Sequence, residues 1–272
     1  MKGLSYRKEK GFYDGWVINQ VKDWLYMNPR QRKAVETAIS FHGADNASAI
    51  EFGSGIGVCG ELFARETLGH VTSIDLSTEL VRVGNRLFGS KNHEYLEVTI
   101  QELTKGLNHK VDLILLIDVL EHIRRNDWDD LFNAFGSVLS EEGQIFISTP
   151  TPRYQLYLKE NLPSGLQPVD LSIEREELEL VARGIGLKLV RYEEVDIYRE
   201  GDYQYFTLSR MDRSVERKNL QEDGLMRRHW LLFWKWPSMY IRAFSFRMLW
   251  VALKAQLRGG RKIQRQDSFD AA

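Results

Sequence analysis

The sequence predicts a doubly wound α/β fold built on a seven-stranded sheet, mostly parallel, with an antiparallel hairpin at one edge. Between residues 48 and 210, short apolar runs alternate with amphipathic segments, as in a parallel sheet covered by helices on both faces. The run Val111–Ile117 is almost continuously apolar, which is typical of a central strand. Only Arg199–Asp202 separates the last two predicted strands, so we expect them to pair antiparallel at the sheet edge.

Turn residues and a change of hydrophobic period mark the individual elements. The predicted strands are Ala49–Phe52, His70–Ile74, Glu94–Val98, Val111–Ile117, Gln144–Ser148, Leu187–Asp196 and Tyr203–Ser209. The predicted helices between them include Leu76–Phe88, Trp128–Leu139 and Glu174–Gly184. Ahead of the sheet, Asn28 and Pro29 predict a helix start, Ala34, Val35, Ala38 and Ile39 an apolar stripe, and Gly43 a helix end.

Composition divides the chain into three segments. The 272 residues, 43% hydrophobic and 28% charged, suit one globular domain with additions. We predict a helical lid segment at residues 1–43, an α/β domain at 44–210 and a basic, aromatic, helical appendage at 211–272. The single cysteine, Cys59, excludes an internal disulfide and a cysteine-based zinc cluster, and we expect it in the core.

Charge and hydropathy indicate where the protein works. The net charge of -1 predicts no general affinity for nucleic acid. The start of the chain carries no apolar run after its charges, so we expect no secretory signal. The longest apolar runs are too short to predict a membrane-spanning helix. A cytoplasmic location is therefore expected.

The run Ile50–Gly57, which reads IEFGSGIG, is the strongest chemical signal because it follows a strand and opens a helix. Alternating glycines let the backbone turn sharply and approach a ligand closely. The helix that follows offers unpaired N–H groups to an anionic ligand group. A tight strand-to-helix turn without a ligand is the alternative interpretation.

Asp75 ends the next predicted strand, about one βα unit after the glycines. An acid at this place reaches ribose hydroxyls in dinucleotide-binding folds. The alternative is that Asp75 or Ser77 caps the next helix. The spacing from the glycine loop favours ribose binding.

Asp118, Glu121 and His122 follow the central strand at its carboxyl end, where ligands bind in open α/β sheets. A helical turn starting here would place the three side chains on one face. They could then serve as a general base with its orienting acid, or as ligands of a magnesium-type cation. A solvated helix start is the third possibility.

Together these features resemble class I S-adenosylmethionine-dependent methyltransferases, in the small-molecule branch that includes ubiquinone-biosynthesis O-methyltransferases. The resemblance runs from about Ala49 to Arg210. It rests on EFGSGIG at 51–57, on Asp75, on DVLEHI at 118–123 and on GQIFISTP at 143–150.

The resemblance implies that residues 44–210 bind S-adenosylmethionine. The residues implied are Glu51, Gly53, Ser54, Gly55, Gly57, Asp75, Leu76, Thr99, Ile100, Gln101 and Asp118. Glu51 matches the acid that helps hold the methionine end, and its charge would repel the phosphates of a dinucleotide. Thr99 stands where the family often has an adenine-contacting acid, which leaves that contact to Ile100 and Gln101.

The resemblance also implies methyl transfer to an oxygen, or a nitrogen, of a small-molecule, lipid-linked or glycan acceptor. His122 is our candidate base, with Asp118 and Glu121 as supporting acids or as ligands of a magnesium-type ion. We expect an acceptor-binding loop at Thr151–Ser172, with contacts from Arg153, Tyr154, Tyr157 and Lys159. We expect Tyr13 and Trp16 to form a lid. The alternative function is a cofactor-binding partner protein without catalysis.

The appendage carries a separate signal. Residues 224–265 contain ten Lys and Arg, no Asp or Glu, and four of the seven Trp. Lys235, Ser238, Arg242 and Ser245 recur at helical spacing. A basic, Trp-rich amphipathic helix is typical of peripheral contact with an anionic membrane, here the inner face. Packing on the core, a homodimer contact and nucleic-acid binding are the alternatives.

Overall fold

The computed structural model describes residues 9–26, 28–42, 47–103 and 109–210. The appendage at 211–272 and the predicted helix end at Gly43 lie outside these residues, so both remain predictions. In the part of the chain described, each helix is too short or too polar to cross a bilayer.

One sheet of seven strands, in the order β3-β2-β1-β4-β5-β7-β6, forms the centre of the fold. The strands are β1 (Ser48–Phe52), β2 (His70–Asp75), β3 (His93–Glu97), β4 (Val111–Ile117), β5 (Leu139–Pro150), β6 (Lys188–Val195) and β7 (Tyr203–Ser209). Strands β1 to β5 pair in parallel, and β7 runs antiparallel to both β5 and β6. The predicted fold class is confirmed. The chain order reverses between β1 and β4, which opens a ligand-binding crevice at their carboxyl ends.

Helices cover both faces of this sheet. They are α1 (Val17–Tyr26), α2 (Pro29–His42), α3 (Val58–Thr67), α4 (Thr78–Phe88), α5 (Trp128–Val138), α6 (Pro152–Asn161) and α7 (Arg175–Gly184), with a further helical stretch at 9–14. The Arg30 N–H donates to Asn28 Oδ1 at 3.1 Å, so the predicted start of α2 is confirmed. Helix α4 begins at Thr78 because the Ser77 hydroxyl accepts from Leu80 N.

The core lies on both faces of β4, as its apolar sequence predicted. Ile114 and Leu116 belong to the cluster formed with α5 and α7, whereas Leu113 and Leu115 belong to the cluster formed with α2 and α3. The α2 stripe Ala34, Val35, Ala38 and Ile39 is buried in the second cluster, and so is Cys59. Helix α2 therefore shares a core with the sheet, although the sequence placed it in a separate lid segment.

Two element predictions need correction. The segment Thr151–Ser172 is not one loop, because α6 occupies Pro152–Asn161. The Thr151 hydroxyl caps α6 and Pro152 sits in its first turn, a start signal that the sequence did contain. Strand β5 also starts earlier than predicted, at Leu139. The sequence pattern missed this start because exposed Glu141 and Glu142 interrupt the apolar run.

Candidate functional site

A cavity of about 630 Å³ opens at the carboxyl ends of β1, β2 and β4, and its size is typical of a small-molecule site. Nine predicted site residues line it: Gly53, Gly55, Asp75, Leu76, Thr99, Ile100, Gln101, Asp118 and His122. Four others, Glu51, Ser54, Gly57 and Glu121, are not among the lining residues. The fold thus brings together residues from the connections that follow four strands, β1, β2, β3 and β4.

The glycine loop has left-handed backbone at Gly53, Gly55 and Gly57, with φ of 68°, 58° and 77°. Glycine adopts this conformation without strain. A Cβ at Gly55 would lie 2.7 Å from Gln20 Oε1, so α1 packs directly on the loop. Gln20 also lines the cavity, and no local sequence signal had pointed to it.

Glu51 lies buried behind this loop. Its Oε2 accepts from the Ser73 hydroxyl at 2.8 Å and from Gly60 N at 2.9 Å. Burial raises the pKa of Glu51 to about 7, and these hydrogen bonds oppose that rise. In this geometry Glu51 ties β1 to the first turn of α3 and to β2, and it is not among the cavity-lining residues, where the sequence had led us to expect it.

Asp75 links the glycine loop to the start of α4. Its Oδ2 accepts from Gly55 N at 2.8 Å and its Oδ1 from Ser77 N at 2.8 Å. Burial raises the pKa of Asp75 to about 6, and backbone hydrogen bonds oppose the rise. The side-chain cap of α4 is Ser77 and not Asp75. Asp75 lies at the cavity wall, where a ribose-binding residue has to be.

Thr99, Ile100 and Gln101 form the wall beyond β3, within a 3₁₀ turn at Ile100–Glu102. The Thr99 hydroxyl and N–H both donate to Glu102 Oε2, at 2.8 and 3.1 Å, in a capping box. The Thr99 side chain is thus committed to the turn. Ile100 and Gln101 are the residues left to contact a ligand here.

The shared helical face predicted for Asp118, Glu121 and His122 is wrong. Asp118 has left-handed backbone with φ of 57°, and the turn that follows is a 3₁₀ helix over Leu120–His122. Asp118 consequently precedes the turn. Its Oδ2 lies 3.1 Å from Nε of Arg30 on α2. Burial raises the pKa of Asp118, and the Arg30 guanidinium opposes that rise.

His122 is oriented by the backbone of the loop before α7. Its Nδ1 lies 2.8 Å from the Val169 carbonyl, which can only accept, so Nδ1 carries the hydrogen. Burial lowers the pKa of His122, which favours the neutral ring with a lone pair on Nε2. A neutral, oriented imidazole at a cavity wall has the state that a general base needs.

Glu121 is buried, and its Oε2 has no hydrogen-bond partner among the described residues. Burial raises the pKa of Glu121 well above its usual range, and nearby Asp118 adds to the rise. No group of three His, Cys, Asp or Glu within the described ranges could hold a metal ion. With Asp118 facing Arg30, this donor set does not fit the magnesium-type ion considered from the sequence.

The segment at 9–16 lies along the cavity, where Tyr13 and Trp16 were expected as a lid. Both line the cavity, and the Tyr13 hydroxyl donates to Gln167 Oε1 at 2.9 Å. Asp14 Oδ1 accepts from the Ser77 hydroxyl at 2.6 Å, so contacts hold this segment on two sides. Gln167, like Gln20, is a lining residue that the sequence analysis missed.

The residues expected to contact an acceptor, Arg153, Tyr154, Tyr157 and Lys159, do not line this cavity. Arg153 donates to the Glu200 carbonyl at 2.7 Å, and the Tyr154 and Tyr157 rings stack 6.0 Å apart. These side chains belong to α6 and its contact with the β6–β7 turn. Of the segment 151–172, Gln167 is the residue that reaches the cavity.

Comparison with known proteins agrees with this geometry. A family model described as "Methyltransferase domain" matches residues 24–221. The ubiquinone biosynthesis O-methyltransferase of Xylella fastidiosa (strain M23) is 28% identical over 205 residues, covering 68% of this chain and 80% of that protein. The enzyme of that name from Nitrosomonas europaea is 26% identical over 172 residues, covering 59% and 71%.

Two solved structures share the fold. An S-adenosylmethionine-dependent methyltransferase from Archaeoglobus fulgidus has a TM-score of 0.54 at 15% identity, covering 70% of this chain and 98% of that one. The 1,6-didemethyltoxoflavin-N1-methyltransferase of Burkholderia thailandensis, solved with 1,6-didemethyltoxoflavin and S-adenosylhomocysteine, has a TM-score of 0.52 at 16% identity, covering 71% and 86%. The family match spans helices α2 to α7 and the whole sheet. The chain belongs to the methyltransferase-domain family and is a class I S-adenosylmethionine-dependent methyltransferase.

Proposed function

We propose that the chain transfers a methyl group from S-adenosylmethionine, held in the cavity, to an oxygen of a small-molecule acceptor. The observation that carries this proposal is the placement of His122, anchored through Nδ1, on the wall of a cavity that the glycine loop and Asp75 also line. The curated relatives named as O-methyltransferases support oxygen over nitrogen as the acceptor atom. A lipid-linked or glycan acceptor remains within the proposal.

The residues that would hold the cofactor divide by position. Gly53 and Gly55 would meet the methionine end, Asp75 the ribose hydroxyls, and Ile100 with Gln101 the adenine. Leu76 would pack beside the nucleoside. When bound, the cofactor supplies an electrophilic methyl group on its sulfonium. Glu51, Ser54 and Gly57 would act indirectly, through the shape of the loop.

The chain's own part in the reaction is to position the acceptor and take its proton. Nε2 of His122 would accept the proton of the acceptor hydroxyl, while the Val169 carbonyl holds Nδ1–H. Tyr13, Trp16 and Gln167 would enclose the acceptor and exclude water. Positioning the acceptor supplies much of the rate, because methyl transfer is an in-line displacement.

Direct titration tests this function. Isothermal titration of the full-length chain with S-adenosylmethionine, S-adenosylhomocysteine and NADH should show binding of the first two only. A screen of hydroxylated acceptors should then show methyl transfer. Binding of S-adenosylmethionine without transfer to any acceptor would favour a non-catalytic partner protein. Tight binding of NADH without binding of S-adenosylmethionine would contradict the proposal.

The pH dependence of cofactor binding should test whether Asp75 binds the ribose hydroxyls. An ionised carboxylate accepts two hydroxyl hydrogen bonds better than the acid does, so affinity should be full above the Asp75 pKa of about 6 and fall as the pH drops through it. One unit below that pKa, affinity for S-adenosylmethionine should be roughly tenfold lower. Titration over a series of pH values measures this.

Asp75→Asn provides the control. The variant should lose about 1–3 kcal/mol of binding free energy at neutral pH and lack the step near pH 6. Glu51 has a pKa of about 7 and titrates in both proteins, but at a lower pH in the variant, because the charge of Asp75 contributes to raising it. A wild-type affinity that ignores pH would contradict the assignment.

We also propose that the protein is cytoplasmic and that residues 224–265 make peripheral contact with the inner face of an anionic membrane. The ten basic residues of this segment, with no acid among them, support the contact. Each basic residue near an anionic surface contributes about 1 kcal/mol, and salt screens the attraction. A homodimer contact through the same segment is the competing proposal.

Vesicle sedimentation tests the membrane proposal. The full-length protein should sediment with phosphatidylglycerol-containing vesicles at low salt and be released at high salt. Lys235→Glu with Arg242→Glu should weaken binding at least tenfold, from the attraction of about 1 kcal/mol per residue. Lys91→Glu with Lys159→Glu changes the net charge equally outside the segment and should bind nearly as well. Equal losses in both double variants, or binding to pure phosphatidylcholine, would refute the proposal.

A further inference from the structure

Arg30 lies on α2, far in sequence from the glycine loop and from the turn after β4, yet it contacts the cavity wall. Its Nε is 3.1 Å from Asp118 Oδ2, and its Nη1 donates to the Tyr203 hydroxyl at 3.3 Å. Neither Arg30 Nε nor Asp118 Oδ2 has a well-directed hydrogen bond, although both atoms are buried. Charge attraction therefore dominates this contact.

The backbone of Asp118 indicates that its position matters. Its φ of 57° is left-handed, a conformation that few residues other than glycine adopt, although Asp tolerates it better than most. Its N–H donates to the Ser148 carbonyl at 3.0 Å, which fixes the residue at the end of β4. Such conformations cluster at functional sites. Here the conformation accompanies a carboxylate on the cavity wall, between the ligand space and Arg30.

Several titratable groups surround Asp118 and act on its charge state. Burial raises the pKa of Asp118, and Arg30 is the strongest influence against that rise. The other titratable groups that face it come from α1, α3, the turn after β4, the β6–β7 turn and β7: Asp23, Cys59, Glu121, His122, Tyr198, Tyr203 and Tyr205. The acids disfavour ionisation of Asp118, and burial keeps His122 mainly neutral. Of these groups, Arg30 carries the permanent positive charge.

The two forms of the cofactor differ in charge at one atom. S-adenosylmethionine carries a sulfonium cation, whereas S-adenosylhomocysteine has an uncharged sulfur in its place. A carboxylate on the wall of a partly dehydrated cavity attracts the cation and discriminates it from the neutral product. A protonated Asp118 would provide no such discrimination.

We propose that Arg30 is a positioning residue that keeps Asp118 ionised, and that this pair sets the preference of the site for S-adenosylmethionine over S-adenosylhomocysteine. The inference rests on the proposed function, since it takes the cofactor to occupy this cavity. The consequence is weaker inhibition by product, because the spent cofactor loses an attraction that the substrate form keeps.

The test compares the two ligands on full-length protein. Arg30→Gln should lower affinity for S-adenosylmethionine roughly tenfold, which is the factor that corresponds to one pKa unit. It should lower affinity for S-adenosylhomocysteine by less than about threefold. In that variant the pH profile of S-adenosylmethionine binding should move to higher pH, while that of S-adenosylhomocysteine stays in place. Arg30→Lys keeps the positive charge and should restore most of the preference.

Asp118→Asn completes the design. It should abolish the preference as Arg30→Gln does, and the double variant should lose no more than Asp118→Asn alone, since Arg30 acts through Asp118. If Arg30→Gln does not fold, as judged by circular dichroism, then Arg30→Lys and Asp118→Asn still decide the matter. The preference for S-adenosylmethionine should persist in Arg30→Lys and be lost in Asp118→Asn.

Two results would overturn the inference. Equal losses for the two ligands in Arg30→Gln would show that Arg30 acts on a part they share or on the fold alone. A preference that persists in Asp118→Asn would show that its source lies elsewhere. Failure of the wild-type chain to bind either ligand is a different outcome, because it would remove the proposed function and not merely the role of Arg30.

Discussion

Replacing His122 with Asn is expected to lower turnover about 100-fold while S-adenosylmethionine affinity stays within about threefold of wild type. The Asn amide can still donate to the Val169 carbonyl from near the Nδ1 position, so the loop anchor seen at 2.8 Å is retained. What the variant lacks is Nε2, the proposed proton acceptor. Steady-state rates, with cofactor affinity measured separately, distinguish the two contributions.

His122→Ala is the companion variant, because it removes both the base and the loop anchor. It should lose at least as much turnover as His122→Asn and should also raise KM for the acceptor, since Gln167 belongs to the loop that Val169 helps to hold. The wild-type rate should rise with pH through a His122 pKa below its ordinary value, and this limb should vanish in both variants. Turnover retained by His122→Asn would reduce His122 to an anchor and leave proximity as the main source of rate.

The sequence predicted the fold well where burial patterns are local. Strands β4 and β7 have the predicted bounds, because β7 is a continuous buried run and β4 is one except at Asp112, each between clear turn signals. The start of β5 was missed because its first residues include exposed acids. The helix start at Thr151 and Pro152 was missed although its capping signal was present. Both errors concern the edges of elements, where local signals compete.

The sequence could predict those site residues that the strand topology alone brings together. The glycine loop, Asp75 and His122 follow parallel strands at their carboxyl ends, and any doubly wound sheet brings such positions to one edge. Arg30 and Gln167 could not be found in this way, because they reach the site through tertiary contacts that no local sequence pattern indicates. The left-handed backbone of Asp118 was also invisible, and it separates Asp118 from the turn that carries His122.

The glycine loop provides the second large effect. Gly55→Asp is expected to reduce S-adenosylmethionine affinity by roughly 100-fold or more, because the new side chain would occupy the place where the methionine end approaches the backbone. Its carboxylate would also stand close to Asp75, whose Oδ2 accepts from Gly55 N at 2.8 Å, and it would repel the cofactor's own carboxylate. The fold should survive, since Asp tolerates left-handed backbone and the Gln20 side chain can move aside.

Gly55→Asn is the matched control for this substitution, because it has nearly the same size and the same tolerance of φ near 58° but no charge. It should bind S-adenosylmethionine more weakly than wild type yet at least about tenfold more tightly than Gly55→Asp, the margin expected for an unpaired like charge in a partly buried site. Thermal unfolding of all three proteins establishes that the loop has not collapsed. Equal affinities for the two variants would assign the whole effect to bulk. An Asp variant that binds as wild type does would place the methionine end away from this loop, and the site would then have to be rebuilt around Asp75 and Asp118.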